Sequence, residues 1–190
     1  MKKNSILFGV ALFMGIVLSN SAFAQTATQN VALTVDGSAL LAVTGIGADI
    51  ANPSVSMSLS GASEAGAEVM TTAEDQSTRL RVSSLVESGK TRTISAQISS
   101  ALTTAGTTLS LELIKQGPFL PAVANGGTSE GPKDMTDAST QLLVSGITTC
   151  WSGILDGNGY IIKYVFAKAD GATALVSRSI VVTYTISAEI

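Results

Sequence analysis

Strict alternation of apolar with small polar residues recurs along this chain and constrains it to β-structure. Residues 54–60 read Ser-Val-Ser-Met-Ser-Leu-Ser, which puts Val55, Met57 and Leu59 on one face of an extended backbone. Residues 77–83 set Leu80 and Val82 against Arg79 and Arg81, residues 91–99 set Ile94, Ala96 and Ile98 inward, and residues 107–114 align Leu109, Leu111 and Leu113. A helix would spread each of these sets around its whole circumference and bury none of them. Further along, residues 140–145 read as a short strand. Residues 160–167 align Tyr160, Ile162, Tyr164 and Phe166, and residues 178–188 align Ile180, Val182, Tyr184 and Ile186 as the longest predicted strand. Near the front, Val31, Leu33 and Val35 alternate before Asp36-Gly37, and residues 39–44 follow as another strand.

Turn chemistry separates these runs. Asp36-Gly37, Ser88-Gly89, Asp156-Gly157-Asn158-Gly159 and Asp170-Gly171 supply residues that accept positive φ, and Asp170-Gly171 is placed to close a hairpin between the last two strong strands. Residues 117–138 hold three of the four prolines, the Asn125-Gly126-Gly127 cluster and several charges. They read as a long surface loop, the kind of segment that carries variable function. About nine strands, each with one wet face, add up to an all-β fold. The expected form is an antiparallel β-sandwich, Ig-like or pilin-like, in a single domain.

The first 24 residues differ from everything after them. Lys2 and Lys3 precede an apolar run over residues 6–18, and Ala22-Phe23-Ala24 gives the small-x-small pattern of a signal-peptidase site. The run is too short to span a bilayer comfortably. Residues 1–24 are therefore expected to be a signal peptide cleaved between Ala24 and Gln25, with residues 25–190 forming the domain. Export to the periplasm, cell surface or extracellular space follows, with no stable membrane span after cleavage. Loss of the two leader lysines leaves 9 basic against 14 acidic residues, a net charge of −5. That balance offers no basic face for a phosphate backbone and excludes nucleic acid as a partner.

Chemistry-bearing residues are sparse. The chain has no histidine, so the commonest general base and metal ligand is missing, along with every Ser-His or Cys-His pair. Cys150 is alone, which excludes an internal disulfide and suits a buried small hydrophobe beside Trp151. Paired carboxylates can cleave a glycosidic bond. The candidates Glu74, Asp75, Asp134, Asp137 and Asp156 all lie in hydrophilic, turn-like segments that read as solvated charge. Asp156-Gly157-Asn158-Gly159 begins like a calcium loop but lacks a third ligand and a closing Glu, so it reads as a tight turn. Residues 60–67 are rich in glycine and alanine without the Lys of a phosphate loop, and read as a connector. No enzyme activity, cofactor or metal is expected.

An exported β-domain that begins with a short alternating strand can lend that strand to a neighbour's sheet edge. In Asn30-Val31-Ala32-Leu33-Thr34-Val35, followed by Leu40-Leu41 and by the long terminal strand through residues 180–186, the chain loosely resembles the fimbrial subunits of bacterial surface pili. The resemblance lies in strand pattern and chain order. The chain departs from classical members in having one cysteine and in placing Tyr184 six residues before the end. It implies a β-sandwich that polymerises when one subunit's N-terminal strand completes the next, with Val31, Leu33 and Val35 as the donor interface. The same segment also suits pairing within its own domain, and the chain is equally compatible with other secreted bacterial β-sandwiches. The expected function is a non-catalytic structural or adhesive surface protein, with a filament subunit as its specific form and self-association or other surface proteins as its partners. The alternative is a secreted ligand-binding module of carbohydrate type, using Asn125 in the 117–138 loop together with Trp151.

Overall fold

Period-two patterning becomes two antiparallel sheets. The computed structural model of the chain describes residues 37–46, 53–61, 64–66, 71–102, 106–155, 157–172 and 174–190. All of them belong to one compact unit running from Val35 to Ile190, and the unit that precedes it lies outside the described residues. Ten strands occur among the described residues, against the nine or so expected: β1 (Ser38–Gly45), β2 (Thr72–Leu85), β3 (Arg92–Ile98), β4 (Thr107–Gln116), β5 (Gly126–Ser129), β6 (Lys133–Asp134), β7 (Gln141–Ile147), β8 (Cys150–Trp151), β9 (Gly159–Lys168) and β10 (Val182–Ile186). One sheet has the order β1-β2-β9-β4-β6, with β8 pairing β2 beyond the end of β9, and the other has the order β10-β3-β7-β5.

The inward faces of β2, β3, β4 and β9 are those the alternation marks. Leu80 and Val82 of β2, Leu109, Leu111 and Leu113 of β4, and Tyr160, Ile162 and Tyr164 of β9 are buried from the first sheet. Ile94, Ala96 and Ile98 of β3 and Leu143, Val144 and Ile147 of β7 meet them from the second. Each fully buried side chain of this size contributes about 1.5–3 kcal/mol of transfer free energy, so this interleaved layer is the main favourable term in folding. Cys150 is buried in the same layer, as a small hydrophobe should be.

Four expectations change. Residues 117–138 are not one long loop: they hold β5, β6 and a 3-10 turn (Val123–Asn125), and they send Phe119 and Met135 into the core. Phe119 tilts against Tyr160 with ring centroids 4.9 Å apart, and Tyr160 donates its hydroxyl to the Gly126 carbonyl. Asp170-Gly171 does form a turn, with Gly171 at φ 71°, but β9 and β10 do not pair. The turn instead passes the chain from one sheet to the other. The terminal run is hydrogen-bonded along β3 and its flanks from Val181 to Ile190 rather than over residues 178–188, and the longest strand is the 14-residue β2. Residues 54–60 alternate in exposure as expected, yet they form no strand.

Candidate functional site: an open seam between the sheets

Among the described residues, each sheet ends in a strand with one unpartnered side. β1 closes the first sheet and β10 the second, and the two edges lie beside each other. On β1, Leu41 and Val43 face inward; on β10, Val182, Tyr184 and Ile186 do, all partly buried against the core. The register fixes these choices. Leu41 and Val43 stand opposite Val82 and Leu80 of β2, while Tyr184 stands opposite Ala96 of β3.

Residues 53–61 run through this seam. Val55 and Met57 pack against the core, and the serines between them point outward. Among the described residues, no backbone–backbone hydrogen bond reaches this segment. Residues 174–180 likewise carry no ladder among the described residues; pairing resumes at Val181, which accepts from the Ser99 amide at 2.9 Å. A cleft of about 410 Å³ lies between Val43, Val55, Met57, Leu109, Tyr164 and Tyr184. A second of about 290 Å³, lined by Phe166, Val176 and Ile180, shares Val55, Met57 and Leu109 with it. The segment therefore sits between two clefts it does not fill, whereas a close-packed interior leaves few voids larger than a water.

Under the segment, the Tyr164 and Tyr184 hydroxyls share a hydrogen bond of 2.8 Å from one sheet to the other. Burial pushes both phenols above their ordinary range; for Tyr164 the Tyr184 hydrogen bond pulls back down and the nearby Asp75 carboxylate pushes further up. Both therefore stay neutral and serve the seam as an apolar floor with one internally satisfied polar pair. At one end of the seam, Glu189 accepts from Arg92 at 3.0 Å, and Gly37 lies against its carboxylate. A Cβ on Gly37 would stand 1.9 Å from Glu189 Oε1, so the glycine is there for close approach. Its φ is not in the left-handed region, unlike Gly89, Gly157, Gly159 and Gly171, so the positive-φ expectation at Asp36-Gly37 does not extend to Gly37.

The residues singled out in the sequence fall in different places. Val31, Leu33 and Val35, the cleavage-site residues Ala22, Ala24 and Gln25, and Asp156 lie outside the described residues. Asn125 and Trp151 are near neighbours in the fold but do different things. The Asn125 amide donates to the Thr149 carbonyl at 2.8 Å and its backbone carbonyl accepts from Thr148, which makes it a loop brace. Trp151 is 46% exposed on the outer face of the first sheet. There Ser83 stands opposite both Leu40 and Trp151, and Trp151 forms a bridge with Leu120, which makes a lateral row Leu40–Ser83–Trp151–Leu120. Leu40 is 70% exposed. Among the carboxylates, Glu74 pairs with Lys163 at 3.5 Å, Asp75 caps Ser77, Asp137 caps Ser139, and Asp134 lies on β6. The Ser139 hydrogen bonds hold Asp137 below the usual carboxylate range.

Sequence reasoning missed the seam because alternation states which face a residue takes, not which edge its backbone meets. The available signal was local: residues 53–61 open with proline and run into the Gly/Ala-rich stretch, both poor company for a central strand. Comparison with protein-family models, curated proteins and solved structures finds no match.

Proposed function

We propose that this chain is an exported, non-catalytic structural or adhesive surface protein, a filament subunit in which residues 31–35 of one copy add as a strand to the seam of the next. The observation that supports this reading is the seam itself. Two sheet edges without outer partners among the described residues flank an apolar floor of Leu109, Tyr164 and Tyr184, and this combination is what an added strand uses. Its backbone takes hydrogen bonds from a bare edge while alternate side chains fill the floor. Val31, Leu33 and Val35 have the required period of two. The lack of histidine and the scattered, hydrogen-bonded carboxylates favour a role without catalysis.

The test is microscopy and light scattering on the exported protein, with and without residues 25–35. Fibres or concentration-dependent multimers that disappear on deletion support strand addition. A full-length protein that stays monomeric at millimolar concentration removes it.

One observation favours a second reading, a carbohydrate-type binding module: the exposed indole of Trp151 in the outer row with Leu40 and Leu120. Flat aromatic faces on a sheet stack well against sugar rings. Titration with oligosaccharides should quench or shift the Trp151 fluorescence, and Trp151→Ala should abolish retention on a glycan surface. No spectral change across a broad glycan panel would sink this version.

A further inference from the structure

Residues 53–61 occupy the seam in a way that suits a temporary tenant. We infer that this segment is an internal placeholder, displaced when residues 31–35 of a second copy enter; the inference rests on the strand-addition reading above. Three observations carry it. The first is spacing: Val55, Met57 and Leu59 reproduce the period and apolar character of Val31, Leu33 and Val35, so both segments present the same knobs to one floor. The second is attachment. Residues 53–61 hold on through the half-buried Val55 and Met57 with no ladder bond among the described residues, and clefts remain on both sides of them. An entering strand that makes ladder bonds displaces an occupant that makes none among the described residues.

The third observation favours a second copy as the occupant. β1 begins at Ser38, directly after Asp36-Gly37 in the sequence. If residues 31–35 folded back onto β1 through a two-residue turn at Asp36-Gly37, Val35 would face Ser38, Leu33 would face Leu40 and Val31 would face Ala42. Those three β1 residues are exposed on the outer face, whereas Leu41 and Val43 face the seam. A tight hairpin within one copy would thus send the apolar set away from the floor. Entry from a neighbouring copy has no such constraint on register.

The experiment uses the full exported chain carrying Leu33→Asp, which disables its own donor, together with Met57→Cys. Cys150 is buried, so a maleimide reports on position 57. The probe is a synthetic peptide of residues 28–36. Binding of the peptide should raise the labelling rate at position 57 about tenfold or more, as a half-buried site opens. In the Leu33→Asp background, Met57→Ser should tighten peptide binding by about tenfold, because the competing state is weakened. Peptide binding with unchanged labelling and unchanged affinity would overturn the placeholder and leave strand addition standing. Absence of peptide binding to both the Leu33→Asp chain and its Met57→Ser variant would overturn strand addition, and the placeholder with it.

Discussion

The hydroxyls of Tyr164 and Tyr184 meet at 2.8 Å, the first on β9 of one sheet and the second on β10 of the other. The pair ties an edge strand of the second sheet to the middle of the first. Tyr184→Phe leaves the Tyr164 hydroxyl buried without this partner and should cost about 1–2 kcal/mol in urea unfolding. Tyr164→Phe should cost a similar amount. The double variant should lose clearly less than the sum of the two, because no orphaned hydroxyl remains. Strict additivity would mean that the two hydroxyls are satisfied independently.

A second tie lies at the end of the seam. Arg92 is 7% exposed and Glu189 19%, and their 3.0 Å contact is joined by Arg92 bonds to the Ser187 carbonyl at 2.8 Å and the Leu85 carbonyl at 3.3 Å. Removing one partner of a shielded pair costs more than losing a surface pair, because the remaining charge stays desolvated. Glu189→Ala should destabilise by about 2 kcal/mol, below the fully buried case because Glu189 retains some exposure. Glu189→Gln should recover part of this through its amide oxygen. Half a molar salt should change the wild-type value little, since the pair is shielded from counterions. A strong salt dependence would show that the pair is solvated.

How much of this was legible in the sequence depends on what period two encodes. It encodes the face, and the inward sets of β3, β4 and β9 follow residue for residue. It does not encode the ladder partner, which is set by segments far away in the chain. Residues 53–61 therefore look like any other strand in sequence, yet no ladder bond reaches them among the described residues, while residues 178–188 look like one long strand and pair only from Val181 onward. Phe119 and Met135 carry no periodic signal at all. Their burial comes from the way β5 and β6 close over the core end. At the candidate site, the tyrosine floor was visible as two alternating runs, but nothing in either run says that they meet across the sheets.

Gly159 marks where β8 hands over to β9 along β2. It has φ +99°, and a Cβ there would stand 2.3 Å from the Leu80 carbonyl oxygen, a backbone atom that cannot swing aside. Gly159→Ala should therefore combine backbone strain with a clash and destabilise by about 2–3 kcal/mol. Gly89, at φ +82° with nothing near its Cβ, provides the comparison: Gly89→Ala meets the backbone term alone and should cost about 1 kcal/mol. Equal losses in thermal unfolding would mean that β2 can move away from position 159.

Alkaline pH should unfold this protein early. Burial pushes the Cys150 thiol from an ordinary 9.0 to about 11, with nearby Lys115 pulling slightly the other way. Burial also pushes Tyr160, Tyr164 and Tyr184 above their ordinary 10.0. The sign follows from linkage. Between the unfolded and folded values the unfolded chain releases protons that the folded chain keeps, so rising pH favours unfolding. The Cys150 contribution is fully present below about pH 9 and is lost as pH rises toward 11; the tyrosines add to the loss from pH 10 upward. Urea midpoints measured every half unit should be flat up to pH 8.5 and then fall. Cys150→Ala, though less stable throughout, should stay flat up to about pH 10, since its tyrosines begin to matter only there. Identical slopes for the two proteins between pH 9 and 10 would mean that the thiol is not held in the core.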